Sequence, residues 1–222
     1  MTDYKNWLKK VEFTKDLDGG GRVLAPVFAQ YLKDIRVDKC FEWCCGPGWI
    51  GLWLLELGIC KELVSADINR KAVYHLNKTI KRNGYNAKVY HSDNLKSVPK
   101  QKFDIVVSNP PNYVNIQKSH PLGHMREDLR PSDIDWRIHK DFYRNVGRYL
   151  KQDSKMYISE VEPYKKEVMI DKEVYDKREE TPIESFKKMT NDNDLSISKV
   201  GLYNIDTGNE KIQMGLLEID TL

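Results

Sequence analysis

The feature that most restricts this chain is the stretch Phe41-Glu42-Trp43-Cys44-Cys45-Gly46-Pro47-Gly48-Trp49-Ile50-Gly51. An apolar run from Cys40 to Cys45 breaks into glycines and resumes as Trp49-Ile50-Gly51-Leu52-Trp53-Leu54-Leu55-Glu56-Leu57. That pattern reads as a buried strand, a tight turn and a helix buried on most of its faces. Gly46 and Gly48 let the backbone approach a ligand, because glycine tolerates positive φ and has no side chain in the way. Gly51 allows close helix–strand packing and completes a G-x-G-x-x-G fingerprint of nucleotide sites. Alone, such a fingerprint is weak. Two further runs strengthen it. Leu63-Val64-Ser65-Ala66 ends in Asp67, at the distance where a carboxylate can take ribose hydroxyls. The other run ends in Val107-Ser108-Asn109-Pro110-Pro111-Asn112-Tyr113, which no nicotinamide site requires.

A chain of 222 residues has room for a sizeable core, and one large domain is expected. The net charge of +3 neither requires nor excludes a nucleic-acid partner. The N-terminus Met1-Thr2-Asp3-Tyr4-Lys5 lacks the apolar core of a signal peptide. No run approaches the roughly 18 apolar residues that a membrane helix needs. A soluble, cytoplasmic protein without a membrane partner is the expectation. Cys40, Cys44, Cys45 and Cys60 form no C-x-x-C pair and read as buried thiols, with Cys44 and Cys45 on opposite faces of a strand. His120 and His124 sit in a loop broken by Pro121 and Gly123, with no cysteine near, so no metal is expected.

Residues 1–38 read as an N-terminal extension packed on a core of residues 39–222. Tyr4-Lys5-Asn6-Trp7-Leu8 predicts a short helix, Val11-Glu12-Phe13 a short strand, and Asp18-Gly19-Gly20-Gly21 a turn. A helix follows, with Pro26 tolerable only near its first turn. Strand and helix then alternate. Strands are expected at Glu62–Asp67, Ala87–His91, Phe103–Ser108 and Met156–Glu160, and helices at Arg70–Asn83 and from about Ser132 to Lys151. A polar loop covers residues 112–131. The balanced charges of residues 162–190 predict a solvated helix interrupted at Pro182. Leu195 to Ile205 and Lys211 to Ile219 flank a hairpin signal. The fold class expected is α/β: a Rossmann-like, mostly parallel seven-stranded sheet with helices on both faces and a C-terminal antiparallel hairpin.

In an open parallel sheet, ligands bind beyond the carboxyl ends of the strands. Four consecutive strand ends here carry acidic, glycine or amide residues: Glu42 with Gly46 and Gly48, Asp67, Asp93, and Asn109 to Tyr113. With these residues the chain resembles the class I S-adenosylmethionine-dependent methyltransferases. Their first motif, D/E-x-G-x-G-x-G, appears as Glu42-x-Cys44-x-Gly46-x-Gly48, with Cys44 in place of the first glycine. The resemblance implies S-adenosyl-L-methionine as cofactor. Glu42 would engage its methionine end, Asp67 the ribose diol, Ile68 the adenine face and Asp93 the adenine amino group.

Asn109-Pro110-Pro111-Asn112 is similar to the (N/D/S)-P-P-(Y/F/W) motif of enzymes that methylate planar nitrogens, either nucleobase amino groups or the glutamine amide of proteins. The lone pair of such a nitrogen is delocalised. The Asn109 side-chain oxygen and the Pro110 carbonyl can accept its two N–H bonds and so aim the nitrogen at a methyl group, and positioning of that kind supplies several kcal/mol. The aromatic falls one place late, at Tyr113, which is expected to stack on the substrate in place of Asn112. A nucleic acid (RNA or DNA) or a protein glutamine is the partner implied. Lys118, Arg126, Arg130, Arg137, Lys140, Arg144 and Arg148 outnumber the acids after the motif, as a rim for phosphates would. Two other functions compete. A nicotinamide oxidoreductase would need a Tyr/Lys or His/Asp set that the sequence does not offer. The other is an inactive methyltransferase fold acting as a binding module.

Overall fold

The structure is a computed structural model that describes residues 3–17, 19–114, 132–170, 173–206 and 211–222. Among the described residues, nine strands form two sheets. Strands β1 (Val37–Trp43), β2 (Cys60–Asp67), β3 (Ala87–His91), β4 (Phe103–Ser108), β5 (Leu150–Val161), β8 (Leu195–Asp206) and β9 (Lys211–Thr221) make a seven-stranded sheet of order β3-β2-β1-β4-β5-β9-β8. The other two, β6 (Glu167–Ile170) and β7 (Glu173–Lys177), pair with each other. Residues 1–109 with 149–151 form one compact unit, and residues 110–148 with 152–222 form another.

In the first unit β1 lies between β2 and β4, all three parallel, and β2 also pairs with parallel β3. The strands are near-continuous apolar runs because both faces are covered; Phe41, Leu63, Val64, Val106 and Val107 are fully buried. Helix α3 (Trp49–Glu56) buries Trp49 through Leu54. Helix α4 (Arg70–Asn83) is amphipathic and has the bounds its periodicity predicts. The Asn69 side chain caps it by accepting from Lys71 N (2.9 Å), an interaction worth about 1 kcal/mol. Gly84, with φ 64°, ends it.

The N-terminal residues pack into this unit through aromatic rings. Helix α1 (Tyr4–Leu8) sets Trp7 against Trp49 and Trp53, and the Trp7 indole donates to Tyr85 Oη (3.0 Å). Tyr85 Oη in turn donates to Glu56 (2.6 Å). The predicted strand at Val11-Glu12-Phe13 does not form. That segment is held on α4 instead, where Glu12 N donates to Thr79 Oγ1 and the Glu12 carboxylate pairs with Lys78 and Arg82. Helix α2 (Gly21–Tyr31) contains Pro26 beyond its first turn. Proline cannot donate to the carbonyl four residues earlier, that of Arg22, and the Tyr4 hydroxyl donates to that oxygen instead. A second correction concerns β1. It ends at Trp43, so Cys44 and Cys45 lie in the turn rather than on two faces of a strand. Cys40, Cys45 and Cys60 are buried free thiols, and Cys44 is partly exposed.

The second unit differs more from the sequence reading. Helix α5 spans only Arg137–Val146, between two short 3-10 turns, and β5 starts at Leu150, earlier than expected. Glu167–Ile170 and Glu173–Lys177 are paired antiparallel strands and not a solvated helix. The charges there hide an alternation that buries Val168 and Tyr175 while Met169 and Glu173 face out. Pro182 begins helix α6 (Pro182–Asn191) instead of interrupting one, and Thr181 and Glu184 cap it reciprocally. Strands β8 and β9 form the expected hairpin, and β9 pairs antiparallel with β5. Among the described residues no helix is long and apolar enough to cross a membrane. Lys118, His120, His124, Arg126 and Arg130, with most of the predicted polar loop, lie outside the described residues.

Candidate active site

The turn after β1 is built by three glycines with different tasks. Gly48 (φ 85°) starts α3, and a Cβ there would lie 2.6 Å from Leu76 Cδ1, so its missing side chain makes room for α4. A Cβ on Gly51 would lie 2.6 Å from both Glu42 Oε2 and Leu63 Cδ1, which explains the close helix–strand packing. Gly46 (φ 51°) is different. The nearest atom to a Cβ there is the Leu17 carbonyl oxygen at 3.8 Å, so the space beside this glycine is open to a ligand. Cys44 also has a left-handed backbone (φ 51°), a conformation that favours the glycine of the family motif.

Glu42 lies beneath this turn, 2% exposed, and accepts from the Ile50 amide (3.2 Å). Burial pushes its carboxyl up to about 8, against the opposing pull of the Gly51 and Ile50 amides. At the end of β2, Asp67 is only partly covered. One of its oxygens accepts from Gly46 N (2.7 Å) and the other from Asn69 N (2.8 Å). Burial raises its carboxyl above the ordinary value, and those amides pull it back. Ile68 stands 51% exposed, and its carbonyl is bound by His91 Nε2 at 2.9 Å. Asp93 is exposed and pairs with Lys96. An open glycine, a partly covered carboxylate and an exposed apolar side chain thus follow one another at the carboxyl ends of parallel strands. This donor set fits an adenosyl cofactor with a ribose diol and a flat base.

Two residues that the sequence reading missed support this edge. The Trp43 indole donates to buried Asn94 Oδ1 (2.8 Å), tying the loop after β3 to the end of β1, and Ser108 Oγ donates to the Trp43 carbonyl (2.6 Å). Asn94 is itself left-handed (φ 50°), a conformation asparagine tolerates. The pairing of a lone Trp with a lone Asn leaves no spacing signal.

Asn109 ends the first unit. Its Nδ2 donates to the Gly19 carbonyl at 2.8 Å, which fixes the amide plane and defines Oδ1 as its acceptor end. The second unit opens with Pro110. Asn112 is buried, and its Nδ2 donates to the Pro110 carbonyl at 2.6 Å. The expected acceptor oxygen of Pro110 therefore already takes one bond from within the motif. Tyr113 is half-buried, with its ring edge-to-face on Tyr175 at 4.4 Å between centroids. Its carbonyl accepts from Asp133 N (2.7 Å).

The profile of the Methyltransferase small domain family matches residues 10–125. Over 103 residues the chain is 31% identical to the ribosomal RNA small subunit methyltransferase C of Buchnera aphidicola, covering 46% of this chain and 29% of that protein. The chain thus spans less than a third of the length of this curated relative. Among solved structures, the 16S rRNA N2 G1207 methyltransferase of Thermus thermophilus, in complex with AdoMet and guanosine, superposes with a TM-score of 0.53 at 14% identity, covering 93% of this chain and 45% of that one. The ribosomal protein L11 methylase of Lactobacillus delbrueckii subsp. bulgaricus gives 0.57 at 14% identity, covering 96% and 82%.

Proposed function

The chain belongs to the Methyltransferase small domain family, a family of S-adenosylmethionine-dependent enzymes, and on that premise we propose that it methylates a planar exocyclic nitrogen of a nucleobase in RNA. The observation that carries this reading is Asn109 at the carboxyl end of β4, its amide oriented by Gly19 and followed at once by two prolines. The relatives add the acceptor class, since the curated protein it matches is a ribosomal RNA methyltransferase.

Asp67 would hold the ribose diol, Ile68 the adenine face, and the Gly46 backbone the close approach of the chain. Asp93 would exchange Lys96 for the adenine amino group. Glu42, beneath the turn, would hold the methionine end's side of the site in shape through the Ile50 amide. S-adenosylmethionine bound there would supply a sulfonium methyl for the acceptor nitrogen, with S-adenosylhomocysteine as the leaving group. Asn109 Oδ1 would accept one N–H of the acceptor and the Pro110 carbonyl the other, the latter sharing its second lone pair beside Asn112. Fixing both N–H bonds turns the nitrogen lone pair out of the ring plane, and such positioning contributes several kcal/mol. The methylated nitrogen would then release one of its two protons to solvent and keep the other.

The phosphate contacts would come from α5. Arg137, Lys140, Arg144 and Arg148 are all exposed, and their spacing along the helix and its closing 3-10 turn keeps them within one stripe. The experiment is transfer of labelled methyl from S-adenosylmethionine into protein-free ribosomal RNA, followed by nucleoside analysis. A methylated base with label lost to nuclease supports the reading. No transfer to the RNA, with label in whole-cell extract lost only to protease, would move the acceptor to a protein glutamine.

A further inference from the structure

The strands β6 and β7, paired outside the main sheet, send Tyr175, Asp176 and, just past the end of β7, Arg178 into the segment that follows Asn109. Tyr175 meets the ring of Tyr113 edge-on. The Asp176 Oδ2 accepts from Val114 N at 2.9 Å. Arg178 donates through one nitrogen to the Asn112 carbonyl (2.8 Å), through another to the Val161 carbonyl (3.3 Å), and through Nε to Asp176 (3.0 Å). Arg178 and Asp176 are almost wholly buried, as is Glu160, whose carboxylate stands 3.8 Å from the guanidinium. Trp136 packs its ring under the Arg178 guanidinium at 5.6 Å.

A buried guanidinium with this many specific partners is expensive to desolvate, and a hydrophobic replacement of the whole ion pair would be no worse for stability, whereas removing Arg178 alone strands the buried Asp176. Two of its bonds go to backbone carbonyls, one of them within the motif segment, and its carboxylate partner holds the Val114 amide two residues further on. Burial pushes the Glu160 carboxyl up against the pull of Arg178, and Asp176 is the nearer of the two carboxylates to the guanidinium, at 3.0 Å. The geometry thus fixes the backbone on both sides of Tyr113, while Tyr175 fixes its ring.

From this we infer that Tyr175, Asp176 and Arg178 are positioning residues that hold Tyr113 as the acceptor-side aromatic, and so make up for the missing ring at Asn112. The inference rests on the methyltransferase reading above for what Tyr113 does, but not for the clamp itself. Asn112 cannot stack: it is buried, and its amide is committed to Pro110. The ring one place later needs an external support, which the β6–β7 pair provides.

The test uses the full chain with Arg178→Met, Tyr175→Leu and Tyr113→Ala, and three readouts: S-adenosylmethionine affinity by calorimetry, single-turnover methyl transfer into protein-free ribosomal RNA, and hydrogen exchange at the Val114 amide. The expected result is an affinity within threefold of the parent chain for all three variants. Transfer falls at least tenfold in each, and Val114 exchange rises at least tenfold in Arg178→Met. Arg178→Lys, which keeps the charge but not the planar fork, recovers only part of the transfer. Wild-type transfer in Arg178→Met and Tyr175→Leu, with Tyr113→Ala impaired, overturns the clamp and leaves the acceptor reading intact. If the parent chain transfers nothing to RNA, the acceptor reading falls, and the Val114 exchange alone decides the clamp: unchanged exchange in Arg178→Met refutes it.

Discussion

The Asp67 carboxylate accepts a hydrogen bond from the Gly46 amide at 2.7 Å, so the end of β2 and the glycine turn after β1 are one structure. Asp67 shapes the turn and, on the proposed reading, would offer its remaining lone pairs to a ribose. Asp67→Ala removes both. Hydrogen bonds to charged groups are worth about 1.5–3 kcal/mol each. S-adenosylmethionine affinity, measured by calorimetry, should fall at least tenfold, with the variant still folded. An affinity within twofold of the parent would show that the cofactor does not use this edge.

Glu42 gives a pH prediction. Its carboxyl lies at about 8 in the folded chain against 4.5 for the unperturbed group. The native state therefore holds a proton that the unfolded chain has released between those values. Stability from this group is complete below pH 4.5 and declines as the pH rises to 8, with a slope of up to about 1.4 kcal/mol per pH unit. Glu42→Gln removes the titration. Urea unfolding between pH 5 and 8 should show a flatter pH dependence in the variant than in the parent. Parallel curves would mean that Glu42 is ionised in the fold.

Cys44 occupies a left-handed position where the motif it resembles has glycine. A side chain there costs about 1–2 kcal/mol, and glycine recovers it less the greater freedom of the unfolded chain. Cys44→Gly should stabilise the protein by about 0.5–1 kcal/mol in chemical denaturation and leave cofactor affinity unchanged. A destabilised variant would mean that the thiol makes a packing contact stronger than the strain.

The stripe on α5 predicts salt dependence. Each phosphate contact contributes about 0.7–0.9 to the slope of log affinity against log salt. Arg144→Gln with Arg148→Gln should lower that slope for RNA binding by about 1.5. Cofactor affinity should not change. An unaltered slope would remove α5 from the interface.

The parallel half of the fold was legible because its signals are local. Asn69, Gly84 and the face made by Ala72, Leu76 and Ile80 bound α4 by themselves. The strands that bring Gly46, Asp67 and Asn109 to their carboxyl ends are apolar runs closed by turn residues. The β6–β7 pair was not legible. Its strands are four and five residues long, and Arg178 and Asp176 look like surface charges until Asn112 and Val114, more than 60 residues away, are brought to them. The same holds for Val11-Glu12-Phe13, where a strand-like run is claimed by α4 through Thr79. Pro26 in α2 exceeds the local rule because Tyr4, far away in sequence, satisfies the carbonyl that proline abandons.

The central claim is that Asn109 acts on the acceptor and not on the cofactor. It is tested most directly by the single-turnover rate of methyl transfer into protein-free ribosomal RNA by Asn109→Ala, with S-adenosylmethionine bound to saturation. Loss of one preorganised polar contact costs on the order of 10²–10³ in rate. The account predicts a rate about 10²-fold below that of the parent chain, with cofactor affinity within a few fold. A variant that transfers methyl at the parent rate would contradict it, and would make Asn109-Pro110-Pro111 a structural turn held by Gly19.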